Sequence, residues 1–266
     1  MILIESITKF FNRGSINEVL SLNNINLAIG QGDFISIIGS NGAGKSTLLN
    51  CLAGTYFPDE GKLTLNGTDI TQWPEHKRAK FIGRVFQDPL LGTCAALTIE
   101  QNMALAHKRG DRRGLGIGVK RRDRQLFREK LKILGLGLDN RLQDRVGLLS
   151  GGQRQALTMI MATMVRPDVL LLDEHTAALD PKTANQILEL TQSLVEELGL
   201  TTMLVTHNMN QALISGNRLI MLHMGKVIMD VKGEEKKNLT VGDLLARFYE
   251  VHGEDFSPDR MLLTRP

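Results

Sequence analysis

Cysteine is almost absent from this chain of 266 residues, with Cys51 and Cys94 the only two. Two cysteines build no disulfide framework, and their spacing matches no metal-ligand motif, so free thiols in a reducing compartment are expected. Aromatic residues make up 5% of the chain and proline only seven positions, which leaves packing to aliphatic side chains. Long apolar runs are missing as well, since none approaches the ~20 residues of a membrane span. The opening segment MILIESITKFF passes straight into alternating apolar positions, without the charged start and long apolar stretch of a secretory leader. Any association with a membrane is therefore expected to be peripheral, through a partner that supplies the spanning segments. A dominant charge is lacking too: 32 basic against 29 acidic residues leave +3, too little by itself to point to nucleic acid or an anionic surface.

What is present is an ordinary globular composition, 42% hydrophobic and 23% charged with 26 glycines, which excludes collagen-like and wholly disordered chains. The length suits one large α/β domain, or a core with an inserted subdomain. Short apolar runs bounded by Gly and Asp alternate with helical patterns, the mark of βα units around a largely parallel sheet. Strands and turns come first, with Ile2, Ile4 and Ile7 and then Leu22, Ile25, Leu27 and Ile29 on apolar faces. A buried strand is expected over 34–38, a helix from near Lys45 and a strand pair over 61–70. Over 88–148 the strand signal fades and Arg-rich helical stretches take over, which reads as an inserted helical subdomain. Gly110, Gly114, Gly116 and Gly118 predict a flexible loop in its middle. Its excess of basic residues reads first as a solvated face and second as a contact for acidic headgroups or an acidic partner surface.

After residue 150 the α/β pattern returns, with a helix through Met164, a strand over 169–172 and a helix over 182–198. Asp180 and Pro181 mark the start of that last helix and Gly199 its end, while Ile187, Leu190, Leu194 and Leu198 supply its buried stripe. A strand over 202–206 and a hairpin from 219–222 and 227–229 follow. The expected division is a core of 1–87 and 149–230, a helical insert of 88–148, and a C-terminal helix and tail of 231–266, loosely held from Gly253.

Gly39-Ser40-Asn41-Gly42-Ala43-Gly44-Lys45-Ser46 matches G-x-x-x-x-G-K-[ST] between a strand and a helix. The glycines let successive backbone N–H groups converge on phosphate oxygens, and the helix N-terminus adds positive potential. Lys45 is expected to bridge the β- and γ-phosphates, Thr47 to reach the α-phosphate side, and Ser46 to ligate Mg²⁺ with its hydroxyl. The apolar strand 169–172 ends in Asp173 and Glu174. Asp173 is expected to hold the metal shell and Glu174 to polarise the attacking water as general base. Leu149-Ser150-Gly151-Gly152-Gln153 precedes the helix 154–164 and offers a second anion-binding terminus, for which a plain N-cap with a flexible Gly pair is the alternative.

With this pentapeptide the sequence resembles the ATP-binding-cassette (ABC) ATPases, of which it is the signature, over residues 2–230 in the expected order of elements. The resemblance implies a P-loop NTPase core with a mostly parallel sheet, an N-terminal antiparallel β subdomain and an inserted α-helical subdomain. It implies that Phe11, or its neighbour Phe10, stacks on adenine; the alternative is that both rings are core. It further implies that Gln87 senses Mg²⁺ and takes part in catalysis beside Glu174, Lys45 and His207, that Asp180 lies in the loop crossing to a second subunit, and that His207 bonds the γ-phosphate. His175 stands where many cassettes carry Pro or a small residue, and reads as a local capping residue. The stretch 173–181 looks like that of bacterial uptake ATPases for tryptophan-like or other amino acids.

By the same resemblance the chain pairs head to tail with a second copy, closes on two ATP molecules, and drives a membrane permease served by an extracytoplasmic substrate-binding protein. Its place would be the cytoplasmic face of the cell membrane, with no specific nucleic acid as partner. A soluble ABC ATPase of a non-transport assembly, such as iron–sulfur-cluster biogenesis, is the alternative.

Overall fold

A computed structural model of the chain describes residues 1–111 and 118–252. Gly114, Gly116 and the tail from Gly253, for which a loop and loose attachment were expected, lie outside the described residues. Among those described, the strands are β1 (Ile2–Phe11), β2 (Val19–Ile29), β3 (Phe34–Gly39), β4 (Glu60–Leu65) and β5 (Thr68–Asp69). Then follow β6 (Ile82–Val85), β7 (Val169–Asp173), β8 (Thr201–Val205), β9 (Arg218–His223) and β10 (Lys226–Lys232). The helices are α1 (Lys45–Ala53), α2 (Glu75–Arg78), α3 (Ile99–His107), α4 (Arg121–Lys132) and α5 (Gly151–Thr163). They continue with α6 (Pro181–Leu198), α7 (Met209–Ile214), α8 (Glu234–Lys237) and α9 (Val241–His252). The C-terminal segment thus begins with the end of β10 and carries two helices where one was expected.

Two sheets form. One is antiparallel in the order β2-β1-β4-β5, and the other runs β10-β9-β3-β8-β7-β6, parallel except for β10. The alternation along β7 shows why its apolar run is continuous: Val169 and Leu171 enter the core shared with the first sheet and α1, while Leu170 and Leu172 enter the core under α3, α4, α5 and α6. A strand buried on both faces needs apolar residues at every position. Ile35 and Ile37 of β3 join the first of these cores, and Ile38 joins a third with Ala212, Leu219, Leu244 and Phe248 of α7, β9 and α9. Met159 is buried in the second core, with Met161 and Met164 partly buried against it, and Trp73 packs against the first.

The register puts the loops of interest side by side. Ile37 of β3 pairs with Val205 of β8, and Asp173 of β7 pairs with the same Val205. Gly39, Asp173 and the segment after Val205 therefore all emerge at the carboxyl edge of the parallel sheet, where open α/β sheets gather their ligands.

Several arginines of the 88–148 stretch are used internally. Arg124 on α4 makes a two-pronged bond to Glu100 on α3 at 2.7 and 3.1 Å, and the Arg109 guanidinium reaches the Val165 carbonyl at 2.6 Å. The Arg excess there is partly the means by which these helices are tied together. No described helix is long and apolar enough to cross a membrane. Both cysteines are free, and burial pushes the Cys51 thiol up to about 11.

Candidate active site

The loop between β3 and α1 bends where only glycine fits. A Cβ on Gly39 would stand 2.3 Å from the Leu222 carbonyl oxygen of β9. A Cβ on Gly44, whose φ is +99°, would stand 2.5 Å from the Ser21 carbonyl oxygen of β2. The loop is thus seated on the backbone of one strand from each sheet, β9 and β2, and Gly44 opens α1 with no side-chain cap, leaving the first-turn amides without such a partner.

Lys45 is only 5% exposed. Its Nζ donates to the carbonyls of Gly39 and Ser40 at 2.8 and 3.0 Å, so the ammonium closes the loop on itself. Burial lowers its pKa, and the charges of Glu174 and Asp173 oppose that shift. Ser46 donates from Oγ to Asp173 Oδ1 at 3.3 Å, and Thr47 Oγ1 accepts from the Ser21 hydroxyl at 2.8 Å. Burial raises the pKa of Asp173, helped by the neighbouring Glu174 charge and opposed by Arg84, Ser46 and Lys45. Arg84 lies 3.8 Å from Asp173, donates to Asn50 at 2.7 Å and stacks on Phe86 at 4.4 Å.

Glu174 adopts φ +46°, a left-handed conformation that costs a non-glycine residue about 1–2 kcal/mol. Its backbone is held by the Glu174 N–H donating to the Val205 carbonyl at 3.0 Å. The side chain is aimed across the edge of the sheet, where Oε1 lies 2.5 Å from His207 Nε2. His207 follows β8 and Thr206, whose hydroxyl donates to Gln211 at 2.6 Å and accepts from the Asn208 N–H at 3.1 Å, fixing the turn into α7.

These groups surround a cavity of about 470 Å³ lined by residues 41–47 with Ser21, Gln87, Glu174 and His207. Gln87 also borders a second cavity of about 580 Å³, together with Arg84, Phe86, Asp88, Asp173 and Ala178. Gly39 and Ser40 do not line the first cavity, though their carbonyls hold Lys45 and the Ser40 carbonyl also accepts from the Ala43 N–H at 3.1 Å. Phe11 does not line either cavity: it meets Tyr56 edge to face at 5.3 Å, and Phe10 lies under the Arg13 guanidinium at 4.7 Å. Both rings are half-buried, which removes the alternative that they belong to the core.

Ser150, Gly151, Gly152, Gln153 and Asp180 do not line the first cavity. Ser150 Oγ accepts from the Gln153 N–H at 3.3 Å and the Gln153 side chain accepts from the Ser150 N–H at 3.2 Å, a reciprocal cap on α5. Asp180 caps α6 by accepting from the Thr183 N–H at 3.1 Å. His175 departs from the expected capping role. It is 1% exposed, its Nε2 meets Thr191 Oγ1 of α6 at 3.1 Å, and burial lowers its pKa to about 4.

Sequence reasoning missed Ser21, Arg84 and Tyr56. Arg84 had a signal, a lone charge inside the apolar strand β6; Ser21 and Tyr56 had none.

The description "ABC transporter" belongs to the family model that matches residues 22–177. A tyrosine transport ATP-binding protein of Clostridioides difficile is 46% identical over 250 residues, covering 93% of this chain and 98% of that protein. A methionine import ATP-binding protein of Corynebacterium glutamicum is 35% identical over 227 residues, 84% of this chain and 60% of its own length. Among solved structures, a dimeric ATP-binding cassette in a post-hydrolysis state with ADP and Pi superimposes with a TM-score of 0.73 at 34% identity, over 87% of this chain and 98% of that one. The ADP conformation of another transporter cassette gives a TM-score of 0.75 at 26% identity, over 93% and 98%.

Proposed function

The chain belongs to the ABC transporter family as its ATP-hydrolysing cassette, and from that premise we propose that it powers a bacterial importer for an amino acid. The observation that carries the chemistry is the Glu174–His207 contact of 2.5 Å at the rim of a cavity lined by the Gly-rich loop. The backbone amides of 41–47 cradle the phosphates, and Lys45 turns from the Gly39 and Ser40 carbonyls to the β- and γ-phosphates. Glu174 accepts the proton of the attacking water, and His207, already at the Glu174 carboxylate, bonds the γ-phosphate and keeps that carboxylate oriented. Phe11, which meets Tyr56 edge to face and lies beneath the Lys9 ammonium, offers its ring to adenine.

The donor set of Ser46, Asp173 and Gln87 suits Mg²⁺: hydroxyl, carboxylate and amide oxygens are hard ligands, and the half-buried Asp173 carboxyl has a raised pKa that a nearby cation would offset. When bound, that ion neutralises charge on the phosphate oxygens. Ser150, Gly151, Gly152, Gln153 and Asp180 serve the nucleotide of a second copy, because they lie off the cavity of their own chain. A head-to-tail homodimer then completes two sites, and the dimeric relative supports that assembly.

Residues 1–87 and 149–230 act as the nucleotide-binding core and 88–148 as the helical arm through which closure reaches a membrane permease. The chain sits peripherally on the cytoplasmic face, and an extracytoplasmic binding protein selects the solute. The relatives named for tyrosine and methionine support an amino-acid cargo and favour an importer over a soluble assembly ATPase.

Affinity purification from gently solubilised native membranes tests this. A polytopic permease is expected in stoichiometric amount, and tyrosine or a related amino acid, delivered by the companion binding protein, should stimulate ATP hydrolysis. Recovery with iron–sulfur-assembly proteins and no permease would overturn the transport reading and leave the ATPase chemistry standing.

A further inference from the structure

His175 lies next to Glu174 in the chain, yet its side chain enters the core and is 1% exposed. There Nε2 meets Thr191 Oγ1 at 3.1 Å. The Thr191 hydroxyl hydrogen is already committed, because Oγ1 donates to the Ile187 carbonyl of α6 at 2.7 Å. Thr191 must therefore accept, and His175 must donate from Nε2. That leaves Nδ1 as a bare acceptor, and it has no hydrogen-bond partner among the described residues. A buried imidazole satisfied at one nitrogen only is a costly choice for a filler, and an apolar side chain of its size would avoid the cost.

Its place in the turn explains what it secures. Glu174 holds a left-handed conformation, φ +46°, fixed on one side by its N–H on the Val205 carbonyl and on the other by the Ala177 N–H on its own carbonyl, both at 3.0 Å. Neither bond fastens the turn to α6. The His175–Thr191 bond does so from the residue immediately after Glu174. The first turn of α6 in turn packs on the signature helix, where Thr183 Cγ2 lies 2.3 Å from the point a Gly152 Cβ would occupy. We propose that His175, through its hydrogen bond to Thr191, is a positioning residue that holds Glu174 in its reactive turn and ties that turn to the helix against which the signature packs. His175 is buried and lines neither cavity, so it acts through Glu174, and the inference rests on the reading of Glu174 as general base.

The test compares Thr191→Val, which removes the acceptor at nearly constant volume, with Thr191→Ser, which keeps it. Steady-state ATPase activity and ATP affinity are measured on the full-length chain with its permease. Thr191→Val should lower kcat on the order of tenfold with KM for ATP within about twofold, because a misplaced base weakens the transition state and leaves ground-state binding intact. Thr191→Ser should restore kcat to within about twofold of the unmodified chain. If Thr191→Val yields no folded protein, Thr191→Ala takes its place, since alanine favours a helix interior. Glu174→Gln is assayed beside them. Normal turnover in Glu174→Gln would overturn the base reading and this inference with it. Loss of turnover in Glu174→Gln beside an unchanged kcat in Thr191→Val, even one with lowered thermal stability, would overturn the positioning role alone.

Discussion

The first turn of α1 follows a Gly-rich loop and the first turn of α5 opens on a Gly pair, yet the two termini are capped in opposite ways. At α1 no side chain caps the helix, the turn borders a cavity, and the loop before it is fixed by distant strands, with Gly39 against Leu222 and Gly44 against Ser21. At α5 the segment satisfies itself: Ser150 and Gln153 exchange bonds at 3.3 and 3.2 Å, and the Arg154 guanidinium gathers the carbonyls of Val146, Gly147 and Leu149 at 3.2–3.3 Å. The α1 terminus is shaped by tertiary structure and open to an anion within one chain. The α5 terminus is shaped by its own sequence and closed until something displaces its cap. Such an asymmetry suits a site assembled from two copies, where one half must bind nucleotide alone and the other must stay stable without it.

The comparison breaks most visibly at Glu174, which shares the α1 side. Glu174→Gln should cut ATP turnover by roughly 10²–10³-fold while ATP binding persists, since a general base contributes to the transition state and not to ground-state affinity. Steady-state hydrolysis and equilibrium ATP binding on the same preparation check this, and unchanged turnover removes Glu174 from the role. Lys45→Ala comes next. Loss of a charge-assisted bond to phosphate should weaken ATP affinity by roughly 10–100-fold, equivalent to about 1.5–3 kcal/mol. Titration calorimetry of the isolated chain is the measurement, because the α1 half is held to bind without a partner.

Much of this contrast was legible in the sequence, for reasons that differ between the two termini. The start of α5 was readable because its cap is local: Ser150 and Gln153 are three residues apart, the spacing of a capping box. The Gly-rich loop was readable because its glycines are demanded by backbone approach, although nothing in the sequence says which strands approach. The buried character of β7 followed from its unbroken apolar run, and Asp173 and Glu174 from its end. Contacts made across the sheet were not legible. Ser21 donates to Thr47 from 26 residues away, and Arg84 reaches Asp173 from β6 across 89 positions of chain that hold α3, α4 and α5. His175 was misjudged because its partner Thr191 lies about three turns along the next helix, so a local cap seemed the simpler use of a polar side chain.

The α5 side should respond differently. In Gly152→Ala the new Cβ would stand 2.3 Å from Thr183 Cγ2, forcing α5 and α6 apart or Thr183 into another rotamer. Overpacking of this kind costs typically ~1–3 kcal/mol, and a thermal or denaturant melt should show it. ATP affinity of the isolated chain should stay within about twofold, since the α1 half is untouched, a shift below ~0.4 kcal/mol. Adding Thr183→Ala should recover most of the lost stability. A double variant no more stable than Gly152→Ala would place the strain somewhere other than the α5–α6 contact.

The smallest expected effect separates the two duties of Ser150. Ser150→Ala removes the cap and should cost about 1 kcal/mol of stability, whereas Ser150→Gly should cost only a few tenths. For a chain of this size the first corresponds to a fall in Tm of about 2–4 °C. Both substitutions remove the hydroxyl that the proposed dimer turns toward the nucleotide of the second copy. Hydrolysis by the assembled transporter should therefore fall equally in the two variants, while their melting temperatures differ. Equal loss with unequal stability assigns the serine to phosphate as well as to the helix. Hydrolysis that tracks Tm, falling in Ser150→Ala and holding in Ser150→Gly, would reduce Ser150 to a cap and leave the backbone amides of α5 to meet the nucleotide alone.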